Sequence, residues 1–185
     1  MRRRMKPRRM TELALLTTIA LTIFIVELRI PNPFPIPGVK LGLANIVTIY
    51  ALYHYRAREA ALVLLSRIFL GALFSGNLMA LLYSLSGGIL CFAGMSLLRR
   101  VIPESSLWFA SVAGAVLHNV GQILTAIFIT GTTAIAVYFP VLLVSGCLAG
   151  AFTGLCAQTA SAALRRADPN RFSAYRSIPS TTYKK

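Results

Sequence analysis

The feature that most constrains this chain is the length of its predominantly apolar runs. Crossing a hydrocarbon core takes roughly 20 helical residues. The stretches near Thr11 to Ile30, Leu78 to Leu98 and Leu107 to Ile129 each reach that length. Composition agrees: charged residues are 13% of the 185 positions, against about 25% in a soluble domain. The reading is an all-α membrane protein of about six transmembrane helices in one bundle.

The remaining spans follow from what separates them. PNPFPIPGVKLG, residues 31 to 42, holds four prolines in seven residues and forbids a regular helix. A short second span follows at about Leu43 to Tyr55, with a partly re-entrant path open to it. The third runs from about Ala60 to Phe74, and Ser75, Gly76 and Asn77 form a tight turn before the fourth. Gly131, Thr132 and Thr133 turn the chain into the sixth, Ala134 to Leu164, which is too long for one perpendicular span. It is expected to tilt, or to break near Pro140. Three segments result: a basic cytoplasmic arm at 1–10, a six-span domain at 11–164, and a flexible cytoplasmic tail at 165–185.

The net charge of +14 invites a nucleic-acid reading, but its distribution points to topology. With the N-terminus in the cytoplasm, sixteen of nineteen Lys and Arg residues fall inside. Only Arg29 and Lys40 fall outside, and Arg67 lies within a span. An odd span count would carry one of the two strongly basic termini across. The expectation is therefore six spans with both termini cytoplasmic, in a bacterial inner membrane, with no nucleic-acid partner. The basic start leading into an apolar run also resembles a signal peptide. Glu27, Arg29 and the prolines follow without a small-x-small cleavage site, so it reads as a retained first span.

Polar groups at membrane depth are expensive and usually have a task. Glu27 lies near the outer end of the first span, Asn45 opens the second, and Arg67 sits mid-way along the third. His118, Asn119 and Gln122 sit near the middle of the fifth, His118 and Gln122 sharing a face at four residues' spacing. Lys40 stands at the mouth. These seven form the candidate substrate site, a polar cavity open to the outer face. Two structural alternatives stay open: a Glu27–Arg67 ion pair, and a dry hydrogen-bonded network that only fixes helix packing. On the sixth span Gly146, Gly150 and Gly154 recur every four residues, suited either to packing within the chain or to docking a partner membrane subunit.

Several chemistries lack their motifs. No GxxxxGK[ST] is present for ATP, and no HExxH, GxSxG or CxxCH. The only aspartate is Asp168, so the clustered carboxylates that hold magnesium for prenyl-chain elongation are missing. Cys91, Cys147 and Cys156 lie in apolar runs and suggest neither a disulfide nor a zinc site. No cofactor and no metal is called for.

PGVKLGLANIVT, SRIFLGALFSGNLMALLYSLSGG and GAVLHNVGQI resemble the bacterial Gx transporter family, which also carries the label heptaprenyl diphosphate synthase component I. The likeness spans roughly residues 11 to 165. It implies a six-span layout similar to the substrate-binding S components of energy-coupling-factor vitamin transporters. It thereby implies a binding and transport subunit for a small molecule (vitamin, flavin-like or isoprenoid-like) energised by a separate ATPase module. The alternative it implies is a membrane accessory of prenyl-quinone synthesis, or of a flavin-linked redox assembly. It carries no catalytic residues over.

Overall fold

The computed structural model describes residues 7–30 and 42–167, and its regular structure there is helical throughout. The helices are α1 (Pro7–Arg29), α2 (Asn45–His54), α3 (Ala57–Ser75), α4 (Leu78–Leu98), α5 (Leu107–Thr130) and α6 (Phe139–Ala167). Short 3-10 segments at Glu104–Ser106 and Thr133–Tyr138 lead into α5 and α6. Lys40, most of the proline-rich segment, and the tail beyond Ala167 lie outside the described residues.

Local chemistry sets most boundaries. Gly76, at φ +60°, closes α3 in the left-handed region that side chains resist. Asn77 then accepts hydrogen bonds from the backbone N–H groups of Met79 (2.9 Å) and Ala80 (3.2 Å), capping α4. At the start of α3 the Glu59 carboxylate accepts the Arg56 N–H at 2.9 Å. The irregularity expected near Pro140 falls just before it, in the 3-10 segment. Pro140 itself occupies the first turn of α6, where its missing N–H costs no hydrogen bond.

Four helices are long and apolar enough to cross a membrane: α1, α4, and α5 and α6 taken with their leading 3-10 segments. Nineteen-residue α3 carries Arg58, Glu59 and Arg67. Ten-residue α2 is only about 15 Å long. α2 compensates by burial. Seven of its ten residues are enclosed, and it touches each of the other five helices. A short helix at membrane depth is tolerated where protein surrounds it in this way.

α5 is the axis of the bundle, with eleven buried residues. It packs closely on α4 and α6 because glycines let the backbones meet. A Cβ on Gly121 would stand 2.8 Å from the Gly87 Cα, and one on Gly150 would stand 2.8 Å from the Val112 Cα. The surface is the reverse of a soluble domain's. Phe128, Val101 and Leu73 are more than three-quarters exposed, while Glu27, Arg67 and His118 are inside. That inversion fits a lipid surround, which solvates apolar side chains and no polar ones.

Candidate functional site

The site is built around a cation. Arg67, on the inner face of α3, is only 4% exposed. A guanidinium has five N–H donors and keeps its charge. Here Nη2 makes one long hydrogen bond to the Asn45 Oδ1, at 3.5 Å, and Nε has no partner. Glu27 lies close enough to Arg67 to act on it electrostatically. The two form no ion pair, however. The ion pairs among the described residues are Arg8–Glu12, Arg9–Glu59, His54–Glu104 and Arg165–Glu104.

The Glu27 carboxylate is engaged elsewhere. Its Oε1 accepts the Gly42 N–H at 2.7 Å, and its Oε2 accepts the Leu43 N–H at 3.1 Å. These donors lie just ahead of α2, so an α1 carboxylate fixes where α2 begins. Gly42 adopts φ +78° at that point. A Cβ there would stand 3.0 Å from Asn45 Nδ2 and 3.5 Å from the His118 ring. One turn of backbone thus joins Glu27, Asn45 and His118.

His118, also 4% exposed, approaches from α5 and leaves Nδ1 without a partner. Its ring stands against Gly87, where a Cβ would lie 2.8 Å from that nitrogen. Arg67 acts on the ring electrostatically, which places the guanidinium and the imidazole in one neighbourhood. Gln122, 1% exposed and one turn along the same face, has an unpaired Oε1. Thr48 on α2 adds an unpaired hydroxyl. The residue types carry no signal for Thr48 or Gly87, since an apolar span accommodates both without remark.

One grouping differs, and one of two open roles is observed. Asn119 was grouped with His118, but it points away, donating to the Leu142 carbonyl across the α5–α6 contact. Adjacent residues on a helix diverge by about 100°, and here that separation is decisive. Gly146, Gly150 and Gly154 are not a free docking stripe. They are buried against Asn119, Ala115, Val112 and Trp108 of α5, so the chain itself covers them.

A second polar group, which the sequence does not announce, ties the helices at the opposite end. His54 Nε2 lies 2.7 Å from Ser161 Oγ and 3.5 Å from Glu104 Oε1, and Arg165 pairs with Glu104. Arg9 donates to both Glu59 oxygens, at 3.2 and 2.8 Å, and stacks 4.4 Å above the Tyr55 ring. Burial raises the Glu59 carboxyl, but hydrogen bonds from Arg9 and the Arg56 backbone outweigh this and hold it below 4.5.

An apolar exterior, four membrane-length helices and polar side chains turned inside define an integral membrane protein. Residues 16–160 match the family described as heptaprenyl diphosphate synthase component I, and the chain belongs to that family. No curated protein and no solved structure matches it.

Proposed function

We propose that this protein is a membrane-embedded binding subunit whose cluster of Glu27, Asn45, Arg67, His118 and Gln122 receives the polar part of a small molecule. The observation that carries the reading is the set of unpaired groups inside the bundle. Arg67 Nε, His118 Nδ1 and Gln122 Oε1 are all buried without a partner. An unsatisfied buried polar atom costs about 1–3 kcal/mol, and more for a charged one. A purely structural network would have closed on itself. Donors with an acceptor left over beside them are what a polar or anionic ligand would complete. The frame is six spans with the 1–10 arm and the 165–185 tail in the cytoplasm, supported by the partition of basic residues. Energy for any uptake would come from another subunit, since no nucleotide-binding motif is present.

The test is mass spectrometry of small molecules that co-purify with the protein from gently solubilised membranes. Wild type should retain a stoichiometric ligand. His118→Ala should lose it while melting within about 3 °C of wild type, a shift worth roughly 1 kcal/mol or less, and Asn45→Ala should lose it at a larger cost in melting temperature, because Arg67 then keeps no hydrogen bond. Severe destabilisation of both variants, with no ligand in any sample, would reduce the cluster to a packing device.

The family description favours a second reading, a membrane accessory to heptaprenyl diphosphate synthesis. In that role the chain would serve a catalytic partner, because a magnesium-bound diphosphate needs clustered carboxylates. The isolated protein should then fail to condense farnesyl diphosphate with isopentenyl diphosphate. Measurable turnover would overturn the non-catalytic assignment in both readings.

A further inference from the structure

The polar group at the far end of α2 holds one unfinished interaction. Glu104, in the 3-10 turn that leads into α5, pairs through Oε2 with Arg165 of α6. Its Oε1 is buried and accepts no hydrogen bond. A charged oxygen left in that state is costly, because it has given up water for nothing. His54, the last residue of α2, brings Nε2 to 3.5 Å from that oxygen and to 2.7 Å from Ser161 Oγ on α6. Both His54 and Ser161 are buried.

The proton count at Nε2 decides what this contact is. A neutral imidazole has one N–H and one lone pair. With the lone pair at Nε2, the ring accepts from the Ser161 hydroxyl and presents electron density to the carboxylate. With the N–H at Nε2, one neutral donor is shared between Ser161 and Glu104. The imidazolium alone puts a donor and a positive charge at Nε2 together, and so makes an ion pair with Oε1. The end of a helix also favours a cation, and His54 closes the last turn of α2. Burial and Arg165 oppose the charge, as does Arg99 at the end of α4, which donates to the Tyr55 carbonyl at 3.3 Å. The Tyr50 ring lies 4.4 Å from the imidazole on α2 itself. Arg9, Glu12 and Glu59, from α1 and α3, gather around Tyr55 instead. α5 carries no Asp, Glu, Lys or Arg. The carboxylate prevails because it meets Nε2 directly, while the Arg165 charge is already met by the other oxygen of the same group.

We infer that His54 is a proton-sensing latch, which on gaining a proton closes onto Glu104 and fastens α2 to α6 and to the turn before α5. A histidine that gains an acidic partner on folding stabilises the fold below its unfolded value of about 6.5. That contribution is lost as pH rises through the higher folded value. The latch therefore works between about pH 6 and pH 8. It acts on the helix whose first residue, Asn45, supplies the hydrogen bond to Arg67. The ten residues of α2 thus join a proton-dependent tie at one end to the Arg67 cluster at the other. The latch stands whether or not that cluster receives a ligand.

The experiment is the melting temperature of the full chain in detergent at about pH 6 and about pH 8. The chain has two histidines, and His118 is common to every variant compared. Wild type should gain about 2–4 °C from pH 8 to pH 6 relative to His54→Gln, the size expected for about tenfold tighter proton binding in the folded chain. Glu104→Gln should lose most of that gain with His54 still in place, whatever it costs at both pH values through Arg165. It also serves as the comparison should His54→Gln fail to fold. Arg165→Gln should enlarge the gain, since it removes the repelling charge and leaves the carboxylate to His54. A contact that only packs would lower melting equally at both pH values. An equal pH response in wild type and His54→Gln, the full gain retained in Glu104→Gln, or a smaller gain in Arg165→Gln would overturn the latch.

Discussion

Arg67 is held in a setting that only its neighbours make tolerable. Its charge is out of reach of water, and the Glu27 carboxylate that offsets it is already accepting two backbone N–H groups. Glu27 therefore has two separable duties: capping the approach to α2 and supplying negative charge near Arg67. Glu27→Gln keeps one acceptor oxygen but removes the charge. Glu27→Ala removes both and leaves two donors unpaired. We expect the alanine variant to be the more destabilised, by roughly 2–6 kcal/mol, for two buried donors orphaned at about 1–3 kcal/mol each. The glutamine variant should fall between it and wild type. Melting in detergent compares them, and equal losses would mean that the cap contributes nothing. The burial of Glu27, Asn45, Arg67 and His118 was legible in the sequence, because polar residues within apolar runs turn away from lipid and into the bundle. Their partners were not. Whether Glu27 meets Arg67 or the Gly42 N–H depends on a chain path between α1 and α2 that hydropathy cannot encode. Asn119 shows the same limit: one residue's rotation moves it from the cluster to the α6 carbonyl of Leu142.

Among the elements, α6 separates what small residues do from what they suggest. Gly150 and Gly154 sit on the α5 backbone, with no space for a side chain. Gly150→Leu should force the two helices apart, at a cost of at least about 1–3 kcal/mol, typical of overpacking. Loss of a partner subunit without loss of melting temperature would instead mean that the stripe serves docking. Pro140 gives the opposite expectation. In the first turn of α6 it blocks no hydrogen bond, so Pro140→Ala should change stability by less than about 1 kcal/mol. A larger loss would show that the 3-10 segment depends on the proline's fixed φ. The helix ends that sequence placed well are those where capping groups coincide with the polar break. Asn77 and Gly76 mark one such point, and α4 spans the expected Leu78–Leu98. The short α2 was harder, because burial on all sides removes the amphipathic stripe that would show where it begins and ends.

At the level of the whole molecule, the ties at one end decide which way the bundle faces. Arg9–Glu59 joins α1 to α3, and His54 with Ser161 and Glu104 joins α2 to α6. Glu59 has a lowered pKa, so its contribution is complete above the ordinary carboxylate value and is lost as pH falls through the lower folded value. Melting temperature should thus fall below about pH 4.5, and fall less steeply in Glu59→Gln; identical slopes would remove Glu59 from the acid response. These ties carry the basic residues Arg9, Arg56, Arg58, Arg99 and Arg165, all near one end, while the turns at Gly76 and Gly131 carry none. The positive-inside rule puts the basic end in the cytoplasm. A single cysteine introduced at Asn77 or Thr132, in a chain with Cys91, Cys147 and Cys156 replaced by serine or alanine, should react with an impermeant thiol reagent in intact cells. One at Ser105 should react only after permeabilisation. Residue 105 lies in the 3-10 turn beside Glu104, on the side of the Arg165 contact, so its label reports the face on which the ties sit. External labelling at Ser105 would invert the bundle. It would then place the basic end of the bundle outside and the turns at Gly76 and Gly131 in the cytoplasm.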